Sequence, residues 1–231
     1  MANYLIITGG SKGIGEKTIA HFKKEQWQVI NISRSASTLS DVHFSIDLSS
    51  IEDIQKHTSI LRDAIKNPKR ICLVHNAAFC KRDSVDSLSL EDLKLTLETN
   101  VIAPAALNQV FIPLMQQGSS IIYIGSTLAE IGVPGKASYI TSKHALVGLM
   151  RATCQDLADK MIRTCCICPG LVETKMLVET MDEKTKQNLL NKTIGKRLIK
   201  PEEIAEMIYF CANTDTINGI TLHANLGQIA D

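Results

Sequence analysis

Thr8-Gly9-Gly10-Ser11-Lys12-Gly13-Ile14-Gly15 joins a short apolar run, Tyr4 to Thr8, to a stretch of helical spacing from Ile14 to Lys24. In that stretch Ile14, Thr18, Ile19 and Phe22 fall on one side. A strand that enters a glycine-rich turn and leaves as a helix exposes backbone N–H groups at the positive end of the helix dipole. Such a turn can receive a phosphate. The spacing of Gly9, Gly13 and Gly15 matches neither the strict G-x-G-x-x-G pattern nor a P-loop. A plain structural turn is the competing reading, and the position after the first strand favours a dinucleotide site.

Outward from this turn the same alternation repeats. Strands are predicted at Gln28 to Ser33, Val42 to Ile46, Ile71 to His75, Ile121 to Ile124, Ile162 to Cys168 and Gly219 to His223. A helix from Ile51 is predicted to end at Pro68, and a long one from Leu90 to Met115 to be interrupted at Pro104 and Pro113. Further helices are predicted at Ser138 to Leu157 and Glu202 to Cys211. Alternating strands and helices imply a doubly wound, mostly parallel α/β sheet with helices on both faces. No repeat or linker divides residues 1–231, so one domain is expected.

The composition is that of an ordinary globular protein, with 45% apolar and 21% charged residues and a net charge of +1. That balance gives no electrostatic footprint for nucleic acid or an anionic membrane surface. No apolar run reaches the length of a membrane helix, and Met1 to Thr8 lacks the basic start of a signal peptide. Seven cysteines, an odd count, point to reduced thiols and a cytoplasmic location. Cys165, Cys166 and Cys168 contain a C-x-x-C spacing, but on a predicted central strand they read as buried thiols, with no metal site expected.

The second strand ends at Ser33-Arg34-Ser35, with no acid before Asp41 to hold a ribose 2′-OH. Arg34 at that tip and Lys12 in the turn suit a 2′-phosphate, which favours NADP(H) over NAD(H). Two solvated surface cations are the alternative. Farther on, Tyr139 and Lys143 lie four apart on a predicted helix, on one face and one turn apart. An ammonium beside a phenol favours the phenolate, and Ser126 at a strand end can hold a carbonyl oxygen. With four tyrosines in the chain, a Y-x-x-x-K pair alone is a common accident.

The order of the segments carries more. The chain resembles the short-chain dehydrogenase/reductase family in its compact single-domain branch, and is similar to 3-oxoacyl-[acyl-carrier-protein] reductases. The resemblance runs from Thr8 to about Gly219. Thr8 to Gly15, Asp47-Leu48, Asn76-Ala77-Ala78, the set Asn100, Ser126, Tyr139 and Lys143, and Pro169-Gly170-Leu171-Val172-Glu173-Thr174 match five family motifs in register. The resemblance implies that Tyr139 is the general acid in carbonyl reduction and that Lys143 lowers its pKa and binds the nicotinamide ribose. It further implies that Ser126 orients the carbonyl and that Asn100 holds a proton-relaying water. Thr8, Gly9, Ser11, Lys12, Gly13, Ile14, Gly15, Arg34, Asp47, Leu48, Asn76, Ala77, Pro169, Gly170, Val172 and Thr174 would join Tyr139 and Lys143 in holding the cofactor.

Departures from the pattern are His75 and Ala78, where the family has Asn and Gly, and a C-terminus that lacks the V-D-G-G ending. His75 is expected to be structural. The stretch 174–200 corresponds to a mobile substrate lid in relatives, with Met176, Leu177, Val178 and Met181 as an apolar wall. Partners implied are a small carbonyl or alcohol substrate, with an acyl carrier protein open, and a second copy in a homodimer or homotetramer. Two rival readings remain: an NADP(H)-binding sensor without turnover, and an extended sugar-nucleotide epimerase. The second needs a larger C-terminal domain than the 88 residues that follow Lys143.

Overall fold

The computed structural model describes residues 1–178, 187–188, 190–191 and 193–228. Among them the strands are β1 (Ala2–Thr8), β2 (Gln28–Ile32), β3 (Val42–Phe44), β4 (Pro68–His75), β5 (Ser120–Ile124), β6 (Arg163–Pro169) and β7 (Ile220–Ala224). The helices are α1 (Gly13–Lys24), α2 (Ile51–Lys56), α3 (Thr58–Asp63), α4 (Leu90–Leu97), α5 (Ala103–Phe111), α6 (Ala137–Asp156), α7 (Lys175–Val178) and α8 (Pro201–Asn213). The strands form one sheet in the order β3-β2-β1-β4-β5-β6-β7, with every pairing parallel. The order reverses between β1 and β4, the place where an open α/β sheet leaves a crevice beyond its strand ends.

Two apolar layers cover the sheet. Ile6, Ile30, Leu73, Ile121 and Cys166 face α5 and α6 through Leu107, Phe111, Leu146 and Met150. Leu5, Ile7, Val74, Ile122 and Cys165 face α1 and α8 through Ile19, Phe22, Ile204 and Ile208. Strands buried on both faces explain the near-continuous apolar runs.

Three elements differ from the sequence expectation. The helix from Ile51 divides at His57, whose Nδ1 lies 2.7 Å from the Asp53 carbonyl oxygen, and it ends at Asp63. Pro68 therefore opens β4, after a left-handed Asn67 (φ 47°). The long helix does not break at Pro104, which fits the start of α5. It widens into a π turn at Glu98–Ile102 that carries Asn100.

His75, at the end of β4, lies in a directed buried chain. Its Nε2 donates to Asn108 Oδ1 at 2.9 Å, and Asn108 Nδ2 donates to the Tyr123 hydroxyl at 2.8 Å. Tyr123 meets Thr153 Oγ1 at 3.1 Å, and Thr153 donates to the Leu149 carbonyl. The direction places a proton on Nε2 of the imidazole, and its Nδ1 is buried without a partner that a second proton could be given to. Burial holds its pKa down at about 4, below the ordinary 6.5. A proton is therefore bound more readily in the unfolded chain. Stability is expected to be level above about pH 6.5 and to fall toward pH 4, by up to about 3 kcal/mol. Denaturant midpoints across that range should show the loss in the wild type and a flatter profile in His75→Gln.

Candidate active site

The sheet's carboxyl edge gathers most of the residues singled out from sequence. The glycine turn is built around absent side chains. A Cβ on Gly15 would strike the Gly9 carbonyl oxygen and lie 2.8 Å from Asn76 Nδ2. Gly9 and Gly13 take positive φ angles of 69° and 58°. Asn76 Nδ2 donates to the carbonyls of Thr8 (2.9 Å) and Gly9 (3.0 Å), while Thr8 Oγ1 accepts from the N–H groups of Asn76 and Ala77. The end of β4 thus fixes the turn. Lys12 stands at the N-cap of α1 and makes no side-chain cap there, so the first turn of α1 faces the crevice uncapped by its own N-cap residue.

Asn31 is a missed support of this turn. Buried in the middle of β2, it accepts from Gly10 N at 3.0 Å through Oδ1 and reaches Ser33 Oγ through Nδ2. Its only signal in the sequence is a polar residue inside an apolar strand.

Arg34, just beyond β2, and Lys12 are both exposed. The Asp47 carboxyl is held below its ordinary pKa, first by hydrogen bonds from Ser49 and in smaller part by the Arg34 charge. Leu48 beside it is buried.

The opposite wall follows β6. Gly170 N donates to the Ala224 carbonyl at 2.9 Å, and Val172 pairs with Ile199. Thr174 Cγ2 lies 3.3 Å from where a Gly13 Cβ would stand, so this segment closes directly on the glycine turn. The lid expected at 174–200 falls partly outside the described residues, as does Met181. What is described there is α7 and the return through Ile199.

Ser126 follows β5 and Gly125. A Cβ on Gly125 would sit 2.6 Å from Cys168 Sγ and 2.7 Å from Cys166 Sγ, so glycine makes room for the thiols behind the site. These two sulfurs are 3.9 Å apart on one face of β6, and Cys165 points to the other layer. Among the described residues no group of three His, Cys, Asp or Glu side chains could hold a metal. Ser126 Oγ accepts from Leu128 N at 3.1 Å and neighbours Tyr139.

Tyr139 and Lys143 share one face of α6, with Lys143 Nζ 5.4 Å from the Tyr139 ring centre. Lys143 is 2% exposed and donates to the Ile124 carbonyl at 2.7 Å. Burial lowers its pKa to about 8, against smaller opposing effects of Cys166, Cys168 and Cys80. From sequence, an ammonium one turn away predicts a lowered Tyr139 pKa. Instead the loss of water around the phenol dominates and pushes its pKa up, with Ser126 opposing.

Asn100 is buried, and its side chain is committed. Oδ1 accepts from Phe79 N at 2.7 Å, and Nδ2 donates to the Phe79 carbonyl and to Ser142 Oγ, both at 2.9 Å. Ser142, which no motif in the sequence marks, donates to the Tyr139 carbonyl at 2.7 Å. Pro104 has no N–H to give, so the Asn100 carbonyl lacks the usual α-helical partner four residues on.

This architecture has known counterparts. A family model described as enoyl-(acyl carrier protein) reductase matches residues 9–228. The chain is 26% identical over 223 residues to the 3-oxoacyl-[acyl-carrier-protein] reductase FabG of Thermotoga maritima, covering 91% of this chain and 90% of that one. It is 28% identical over 228 residues to the 3-oxoacyl-[acyl-carrier-protein] reductase of Homo sapiens, covering 94% and 93%. Among solved structures, a short-chain dehydrogenase family protein from Francisella tularensis aligns with a TM-score of 0.88 at 26% identity, covering 99% and 98% of the two chains. A blue fluorescent protein from a metagenomic library, solved in complex with NADPH, aligns with a TM-score of 0.90 at 25% identity, covering 99% and 98%. With the family model matching residues 9–228 and relatives and solved structures aligned over nearly the full length, this chain belongs to the short-chain dehydrogenase/reductase family of oxidoreductases.

Proposed function

We propose that the chain interconverts a carbonyl and a secondary alcohol with NADP(H) as preferred cofactor. The observation that carries this is the convergence of Ser126, Tyr139 and Lys143 beside a glycine turn on which Thr174 closes. The residues fit a nicotinamide dinucleotide. The turn admits no Cβ at Gly15, and α1 offers backbone N–H groups to a pyrophosphate. In this reading Asp47 and Leu48 would contact the adenine, and Asn76, Ala77, Pro169, Gly170 and Val172 would line the rest of the cofactor's path, as the family resemblance implies.

A nicotinamide held there would supply or accept the hydride. In reduction the Tyr139 phenol gives its proton to the carbonyl oxygen, and its raised pKa keeps that proton available through the neutral range. Ser126 Oγ donates to the same oxygen and fixes its direction. Lys143 has spent one of its three N–H groups on Ile124, which leaves two for a ribose hydroxyl and for the phenolate as it forms. The Asn100 carbonyl is the atom that can hold a water to restore the proton.

Arg34 and Lys12 favour NADPH, in line with the cofactor of the metagenomic relative. Arg34→Ala is expected to weaken NADPH by about 1–3 kcal/mol, roughly 5- to 150-fold in Kd, and to leave NADH unchanged. Equal loss for both in a fluorescence titration would show that Arg34 does not read the 2′-phosphate. The substrate class proposed is a 3-oxoacyl thioester or another hydrophobic ketone, supported by the reductases of acyl-carrier substrates to which the chain is similar. The deciding experiment follows NADPH oxidation against a 3-oxoacyl thioester, simple ketones, quinones and a keto-sugar, with Tyr139→Phe as control. Turnover that depends on Tyr139 supports the reading. Tight NADPH binding with no turnover on any of them would favour a sensor.

A further inference from the structure

We propose that Asp83, in the loop after β4, is a positioning residue for Tyr139, an inference that rests on the carbonyl-reduction reading above. The first turn of α6 carries Tyr139 and needs acceptors for its leading N–H groups. The residue at its own N-cap is Lys136, whose side chain cannot accept a hydrogen bond. Asp83, more than fifty residues earlier in the chain, takes over. Its carboxylate oxygens accept from Ser138 N at 3.1 and 3.3 Å. Its own N–H donates to the Gly135 carbonyl at 3.2 Å, and Asp83 pairs with Lys136 as an isolated parallel bridge. Backbone and side chain of one residue therefore fix the entry to α6, and a carboxylate suits the positive end of that helix.

The same loop is pinned at its other end. Phe79 is held through both its N–H and its carbonyl by Asn100, and Asn100 reaches the Tyr139 carbonyl through Ser142. Between the two anchors Lys136 Nζ donates to Cys80 Sγ at 3.2 Å. The segment from Phe79 to Asp83 is thus a brace. It grips the Tyr139 turn at the preceding N–H through Asp83 and at the Tyr139 carbonyl through Ser142. A cap that served stability alone would need no link to Asn100. This one completes a closed circuit around the proton donor.

A misplacement of about 1 Å at a reacting group can cost up to roughly 100-fold. Asp83→Ala is accordingly expected to lower kcat for the best carbonyl by about 10- to 100-fold, with NADPH Kd unchanged. Asp83→Asn keeps an acceptor oxygen and should return kcat to within about threefold of the wild type. Amide hydrogen exchange supplies a reading that needs no turnover. Ser138 and its neighbours in the first turn should exchange faster in Asp83→Ala than in Asp83→Asn, with the last turns of α6 unchanged. Wild-type kcat in Asp83→Ala would overturn the proposal, as would equal losses in both variants or a parallel loss of NADPH affinity. Should the wild type reduce no carbonyl, the reductase reading fails and the exchange result decides the brace by itself: unchanged exchange at Ser138 in Asp83→Ala overturns it, and faster exchange keeps it.

Discussion

Tyr139→Phe is expected to reduce kcat by about 1,000-fold or more while NADPH binds as tightly as in the wild type. The substitution removes one oxygen and keeps the ring, so the packing of Lys143 over it survives. Lys143 also keeps its bond to the Ile124 carbonyl, which does not involve the phenol. What is lost is the phenol proton that the proposed mechanism gives to the developing alkoxide. Ser126 can still donate a hydrogen bond to that oxygen, but its hydroxyl is far too weak an acid to give the proton up at neutral pH. Stopped-flow or steady-state reduction gives kcat, and a fluorescence titration of NADPH gives Kd. A variant that retains turnover would remove Tyr139 from the mechanism, and one that loses NADPH binding in step with kcat would show that the phenol hydroxyl acts chiefly by holding the cofactor.

Much of the fold was legible because it rests on short-range pattern. Leu5-Ile6-Ile7 and Ile121-Ile122-Tyr123 are apolar on both faces, which only a strand covered on both sides requires. The glycine turn declares itself by positions where a side chain has no room. Helical spacing puts Tyr139 and Lys143 on one face, but it is the resemblance to a family's ordered motifs that singles the pair out. Non-local features stayed hidden. Asp83 caps a helix that begins at Ala137, and no periodicity links the two. The π turn at Glu98–Ile102 carries Asn100, whose partners Phe79 and Ser142 are distant in sequence and are brought near only by the fold. Electrostatics failed for a related reason. Sequence places an ammonium beside a phenol but says nothing about how much water the fold leaves there, and here dehydration dominates both groups.

Gly15→Ala is expected to weaken NADPH by about 100-fold or more, a cost near 3 kcal/mol, and to lower the melting temperature of the free protein as well. The added methyl would meet the Gly9 carbonyl oxygen, Asn76 Nδ2 at 2.8 Å and Gly10 Cα at 2.9 Å. Two of these three are backbone, which cannot turn aside as the end of a side chain can. Asn76 is no easier to displace, because the same Nδ2 holds the Thr8 and Gly9 carbonyls. Relief requires α1 to move away from the turn, and that carries the helix's leading N–H groups off the place a pyrophosphate would occupy. Gly13→Ala provides the scale. There the new Cβ meets Thr174, at 3.3 Å from Cγ2 and 3.7 Å from Cβ, and the chief cost is a left-handed φ of 58°, worth about 1–2 kcal/mol. The two variants should therefore rank Gly15→Ala as the more damaging in NADPH titration. A Gly15→Ala protein that binds NADPH normally would mean that the dinucleotide does not lie on this turn, and the assignment of the crevice would fall with it.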